Sequence, residues 1–173
     1  MKRTIKKLML ILLAALVSAG ALSGCVKHTH IVVDSRRVGD YFCSFYEDGT
    51  VDITGYYGSD EELTVPEMIE GHVVIGFGIK AFDGNGTLKT VIIPQSVTSL
   101  PAKLFNSCAA LESIYVPPFV QSIGKNVVYE CPAFTTVLYG GSEAQWEKVF
   151  IGSVPWTDNY VLINSEMVYN FEP

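Results

Sequence analysis

From residue 63 onward the apolar positions follow neither the helical period nor the strand period alone; they recur at a fixed interval. Leu88, Leu111 and Phe134 define a 23-residue period. Val91, Ile114 and Val137 keep it, then Ile93, Val116 and Tyr139, then Phe82, Phe105 and Val128. Phe77, Leu100 and Ile123 hold the same interval, as do Val74, Val97 and Val120, while Pro94 pairs with Pro117. Cys108 and Cys131 share a column that Asn85 fills one unit earlier. So many columns in phase predict stacked copies of one unit, each too small to bury its apolar face without its neighbours. Within the unit, Val91-Ile92-Ile93 and Ile114-Tyr115-Val116 are β-branched-rich runs ended by proline, which predicts a short strand. Leu63-Thr64-Val65-Pro66 is an earlier copy, set farther from the next than the period, so a five-residue insertion falls near Glu67–His72. About four rungs follow, near the minimum that buries a continuous core.

The flanks break the pattern. Tyr41–Tyr46 and Val51–Tyr57 enclose Glu47-Asp48-Gly49-Thr50, a hairpin signal that predicts a cap on the N-terminal edge over residues 41–62. Repeats are expected over 63–139 and a C-terminal cap over 140–173. In that cap, Gly140-Gly141 ends the pattern and Ser142-Glu143-Ala144-Gln145 is a capping box ahead of a short helix reaching Val149. Tyr160–Ile163 and Met167–Phe171 around Asn164-Ser165-Glu166 predict a closing hairpin.

The repeat resembles the BspA-type (Treponema-type) leucine-rich repeats of bacterial surface proteins. The resemblance rests on Gly78-Ile79-Lys80-Ala81-Phe82, Leu88-Lys89-Thr90-Val91-Ile92-Ile93-Pro94, Leu111-Glu112-Ser113-Ile114-Tyr115-Val116-Pro117 and Val120-Gln121-Ser122-Ile123-Gly124. It covers roughly residues 63–149. Pro101 departs from the glycine seen at 78 and 124, and Val127-Val128 replaces the Ala-Phe of the first unit. The resemblance implies a β-rich solenoid, a cell-surface location and protein–protein contacts. Members of the family are associated with adhesion to host matrix proteins or to other bacteria.

The N-terminal stretch reads as an address. Lys2, Arg3, Lys6 and Lys7 precede the ten-residue apolar run Leu8 to Val17, too short to span a bilayer, and small residues follow. Leu22-Ser23-Gly24-Cys25 resembles the lipobox of bacterial lipoproteins, in which the cysteine thiol receives a diacylglycerol and becomes the mature N-terminus. Residues 1–24 are therefore expected to be a signal peptide, Cys25 the lipid attachment site, and residues 25–40 a tether. Acyl chains at Cys25 give stable anchoring to a membrane or cell surface. Removal of four positive charges with that segment takes the net charge from −6 to about −10. Such acidity argues against nucleic acid as a partner and against attraction to anionic lipid.

No constellation for catalysis emerges, and neither a cofactor nor a metal is expected. Gly76-Phe77-Gly78-Ile79-Lys80-Ala81 matches a dinucleotide fingerprint, but the following repeat fills those columns differently and no βαβ unit follows, so these glycines are read as turn positions. His28 and His30 are two ligands at most, where a metal site wants three or four. Asp60-Glu61-Glu62 and Glu47-Asp48 are acids at turns with no nucleophile beside them. Cys108 and Cys131 fall within disulfide reach if rungs stack at strand spacing, although a buried ladder of free thiols is the expectation, and Cys43 has no evident partner.

Strand alternation points to one surface. With Val and Ile of x-V-x-I facing inward, the residue between them faces out. That column is Thr64, Ile92, Tyr115 and Leu138, rimmed by Thr90, Ser113 and Thr136. An apolar stripe not needed for folding fits a protein-binding face, with Tyr115 as its expected anchor. A passive envelope lipoprotein, or a subunit of a surface complex, is the alternative.

Overall fold

The computed structural model describes residues 30–152 and 159–173. The expected signal peptide, Cys25 and His28 lie outside the described residues.

The sequence period becomes three ladders of parallel strands. The first joins β4 (Glu62–Thr64), β7 (Thr90–Ile92), β10 (Ser113–Val116), β13 (Thr136–Tyr139) and β15 (Glu166–Val168), in that order. Leu63, Val91, Ile114, Val137 and Met167 are in register along its inner face, and the first four are buried. The second ladder joins β8 (Ser99–Leu100), β11 (Ser122–Ile123) and β14 (Phe150–Ile151); the third joins β9 (Phe105–Asn106) and β12 (Val128–Tyr129). The coils that begin at β7 and β10 pass through all three in turn, and the coils direct their apolar columns into one core. Leu88, Leu100, Leu104, Phe105 and Leu111 are all at most 1% exposed there. Full burial of each such side chain contributes about 1.5–3 kcal/mol. The Phe82 and Phe105 rings stack at 5.0 Å, and Tyr56 extends the aromatic column at 5.6 Å from Phe82.

The corners follow the same period. Lys80, Lys103 and Asn126 all have positive φ, and so do Gly84, Ser107 and Glu130. Each set keeps the repeat interval, so every coil spends two left-handed residues on bending, and only Gly84 among the six is free of the associated side-chain cost. Where coils approach closely, glycine is required. A Cβ on Gly124 would lie 2.4 Å from the Ala102 nitrogen and 2.7 Å from the Pro101 carbonyl carbon.

The N-terminal cap is a sheet in the order β1 (Val32–Val38), β2 (Tyr41–Tyr46), β3 (Thr50–Tyr56), β6 (His72–Phe77), β5 (Met68–Ile69). The hairpin over 41–57 is present, with Asp48 Oδ1 accepting from the Thr50 N–H at 3.1 Å and Gly49 at φ 82°. The insertion near Glu67–His72 forms a second hairpin, β5 against β6, and β6 runs parallel to β3. Val32–Val38, expected to be part of a tether over 25–40, instead pairs antiparallel with β2 as a strand of the cap. Its backbone hydrogen bonds and the Arg36 guanidinium, 4.3 Å above the Phe45 ring, hold it in place. Its side chains are almost all exposed, so no hydrophobic alternation announces the strand.

At the other end, Ser142 opens the helical turn α1 (Glu143–Trp146), and its N–H donates to the Gln145 side-chain oxygen at 2.9 Å. The closing hairpin expected over Tyr160–Phe171 is absent. Tyr160–Ile163 is a helical turn, α2, and Glu166–Val168 turns away from it to pair in parallel with β13, where an open strand edge awaits. Asn159, left-handed and 1% exposed, plugs one side of the stack. Its side-chain oxygen accepts from the Val127 N–H at 2.9 Å, and its side-chain nitrogen donates to the carbonyls of Gly124 at 3.0 Å and Gly152 at 2.7 Å.

Two substitutions test this account in urea titrations. Gly124→Ala forces coils apart and is expected to cost about 3 kcal/mol. Glu130→Gly relieves a left-handed corner and is expected to add about 1 kcal/mol.

Candidate binding face

The outward side of the first ladder carries the column singled out by alternation, extended by one residue. Thr64, Ile92, Tyr115, Leu138 and Val168 are in register across five strands. Thr64 is exposed, whereas Ile92, Leu138 and Val168 are half-buried. The rim column is Glu62, Thr90, Ser113, Thr136 and Glu166. Its middle hydroxyls, Thr90 Oγ1 and Ser113 Oγ, lie 3.0 Å apart and partner each other.

Tyr115 is not the exposed anchor that alternation predicts. It is 2% exposed. The chain after β15 crosses the strand face, with the Asn170 N–H donating to the Gly141 carbonyl at 2.9 Å and the Phe171 N–H to the Tyr139 carbonyl at 3.0 Å. That crossing sets the Phe171 ring 6.0 Å from the Tyr115 ring, while the Tyr115 hydroxyl accepts from Gln95 Nε2 at 2.9 Å. Alternation fixes the direction of a side chain; it cannot say which later segment passes over it. The outward apolar positions are therefore two partly buried patches, Ile92 on one side of the sealed tyrosine and Leu138 with Val168 on the other.

The remaining candidates separate. Gly76 sits within β6, not in a turn, and the Gly78 N–H donates to the Ile53 carbonyl at 2.9 Å, both tied to the cap sheet. His30 is engaged by Asp48, its Nδ1 3.0 Å from Oδ2, and packs on Tyr46 at 5.1 Å. Asp60 accepts from the Tyr56 hydroxyl at 2.5 Å, and Glu61 pairs with Lys89 at 2.6 Å. Cys43, Cys108 and Cys131 are buried free thiols. Burial pushes the Cys43 thiol up to about 11; the adjoining Cys131 thiol and burial together raise that of Cys108. The Cys108 and Cys131 sulfurs face the carbonyls of Phe82 and Phe105, each one coil earlier, at 2.9 and 3.5 Å. Among the described residues, no three His, Cys, Asp or Glu side chains gather as a metal site.

One feature escaped sequence reasoning. A trough of three depressions, with cavity volumes of about 500, 480 and 430 Å³, runs along the second ladder; the middle one shares Thr98 with the first and Ser99 with the third. Its signal was present in the residues preceding Leu100 and Ile123, which are polar in both repeats.

Comparison with known proteins places this geometry. Residues 63–150 match the model of the BspA type leucine rich repeat region, in six copies. Among solved structures, a leucine rich cell surface protein from Faecalibacterium prausnitzii is similar at a TM-score of 0.52 and 23% identity, over 62% of this chain and 33% of that one. A leucine-rich repeat protein from Bacteroides capillosus is similar at a TM-score of 0.54 and 20% identity, over 69% of this chain and 99% of that one. The chain thus spans about a third of the length of the Faecalibacterium protein, and at these identities the likeness bears on the fold. No curated protein matches the chain.

Phe171→Ala should uncover Tyr115. The expected result is a loss of about 1–2 kcal/mol in urea unfolding and one additional tyrosine open to acylation by N-acetylimidazole. Unchanged tyrosine reactivity would contradict the seal.

Proposed function

This chain belongs to the BspA-type leucine-rich-repeat proteins, and on that premise we propose that it is an exported, surface-held module that binds a protein partner through its first ladder. The observation that carries this reading is the partly buried outward column Ile92, Leu138 and Val168. Apolar side chains in such a column lie outside the inward core columns, and solenoids bind along faces of this kind. Thr64, Thr90, Ser113 and Thr136 supply hydrogen-bonding groups around it. Tyr115, held by Gln95 and Phe171, serves as a rigid floor between the two patches and not as a contact. The Faecalibacterium protein, which shares the fold, carries the description of a cell surface protein, and that supports a surface location here.

Retention at the surface is assigned to lipid on Cys25. Growth with a radiolabelled or clickable fatty acid should label the wild-type chain and leave Cys25→Ser unlabelled and released into the medium. Label on Cys25→Ser would sink the anchor.

Adhesion is the finer form of the proposal. The full chain, purified in mild detergent, is to be offered to immobilised host matrix proteins and to a bacterial envelope extract. A partner captured by the wild type should be lost, by about tenfold or more, from an Ile92→Ser, Leu138→Ser variant of unchanged melting temperature. Equal capture by both proteins removes the first ladder as the site. Capture by neither favours the passive envelope role, to which the covering of Tyr115 by the chain's own Phe171 already lends support.

A further inference from the structure

The trough on the second ladder is a surface distinct from the face proposed above. Ser99, Ser122 and Phe150 are in register along it, and Thr98 and Gln121 precede the first two. The Ser99 and Ser122 hydroxyls lie 2.9 Å apart. A depression bounded by Ile75 and Ser96 shares Thr98 with one bounded by Gln95, Phe119, Gln121 and Gln145, and shares Ser99 with one bounded by Ser122 and Phe150. Two aromatic rings stand open at its margins, Phe119 at 60% and Phe150 at 70% exposure.

The chemistry of this lining narrows the occupant. Hydroxyls and carboxamides both donate and accept hydrogen bonds, so they suit a partner that does both. The chain as a whole carries a net charge of −6, yet among these lining residues the one carboxylate is Asp52, which already accepts from the Tyr46 hydroxyl at 2.7 Å. A trough so poor in free acid argues against a cationic partner; Lys125 and Lys148 also line it, which makes an acidic polymer the competitor to be tested against a neutral one. Exposed phenylalanine rings offer flat apolar platforms, to which the C–H faces of sugar rings are complementary. An extended peptide is a poorer fit, because the backbone of the ladder is spent on its neighbours. The Gln121 N–H donates to the Thr98 carbonyl at 2.8 Å and the Phe150 N–H to the Gln121 carbonyl at 2.9 Å, leaving that face side chains alone. The spacing points the same way: successive coils, about 4.8 Å apart, repeat at close to the length of one hexose in an extended β-linked chain.

We infer that the trough binds a neutral β-linked polysaccharide lying along the solenoid axis, one sugar to a coil, with Phe119 and Phe150 as stacking platforms and Gln95, Gln121, Ser99 and Ser122 as hydrogen-bonding partners.

The test is affinity electrophoresis of the full chain, in mild detergent, through gels containing mixed-linkage β-glucan, with depletion on swollen cellulose as a second readout. Retardation is expected for the wild type and for Ile92→Ser, Leu138→Ser. It should weaken by about tenfold in Phe119→Ala, Phe150→Ala. Gln121→Ala, at an exposed position, supplies an independent loss should the double variant melt early. No retardation by either polysaccharide overturns the inference, as does retardation by dextran sulfate alone. So does undiminished retardation in both the Phe119→Ala, Phe150→Ala and the Gln121→Ala proteins. Because the first-ladder variant is carried alongside, failure here leaves the protein-binding proposal standing, and failure there leaves this one.

Discussion

Everything in this molecule depends on the registration of one coil against the next. A strand of three or four residues has no independent stability, and a single repeat unit cannot shield its own apolar face. Stacked in phase, Leu63, Val91, Ile114, Val137 and Met167 cover one another, and the backbone of each coil satisfies the backbone of its neighbour. A slip of one residue would turn the outward column inward and place polar rim residues in the core. The tolerance of six left-handed corner residues, five of them not glycine, is a measure of how strongly that registration is held.

The parts of the fold that repeat were legible, because a period observed in many columns at once is a constraint that no other architecture satisfies. The hairpin around Gly49 was legible for a different reason: its turn residues encode a specific backbone geometry. What could not be read has a common cause. Val32–Val38 is held by backbone hydrogen bonds and two cation–aromatic contacts, Arg36 on Phe45 and Arg37 on Tyr57, none of which leaves a hydrophobic pattern. Glu166–Val168 joins the first ladder later in the chain than the period would place it, so its pairing was hidden although its apolar character was visible. The burial of Tyr115 follows partly from that same long-range docking and partly from Gly140 and Gln95, which close on its hydroxyl. The second-ladder trough went unnoticed because hydroxyl and amide side chains at the corners of repeats look like ordinary solvent-facing residues until three corners are brought side by side.

The two outer surfaces differ in kind. The first ladder shows apolar patches rimmed by hydroxyls that partner one another, a surface suited to exclusion of water. The second shows hydroxyls and amides between open rings, a surface suited to a hydrated partner. Both are built on the same rigid stack, and neither distorts the core columns to exist. Outward positions of such repeats can differ in chemistry while the inward columns cannot, which is how one scaffold shows two different surfaces on adjacent sides.

Asn159 closes one side of the stack, and its placement bears on how such a chain changes length over evolutionary time. Its carboxamide takes the Val127 N–H and the Gly124 and Gly152 carbonyls, so a unit duplicated at that end would have to displace it, although Glu166–Val168 extends the first ladder past it. A duplicated unit inserted anywhere between Leu88 and Val137 keeps every neighbour in phase and simply carries the plug outward. Lineages of this architecture are thus expected to lengthen from the middle, with old ends and young interiors.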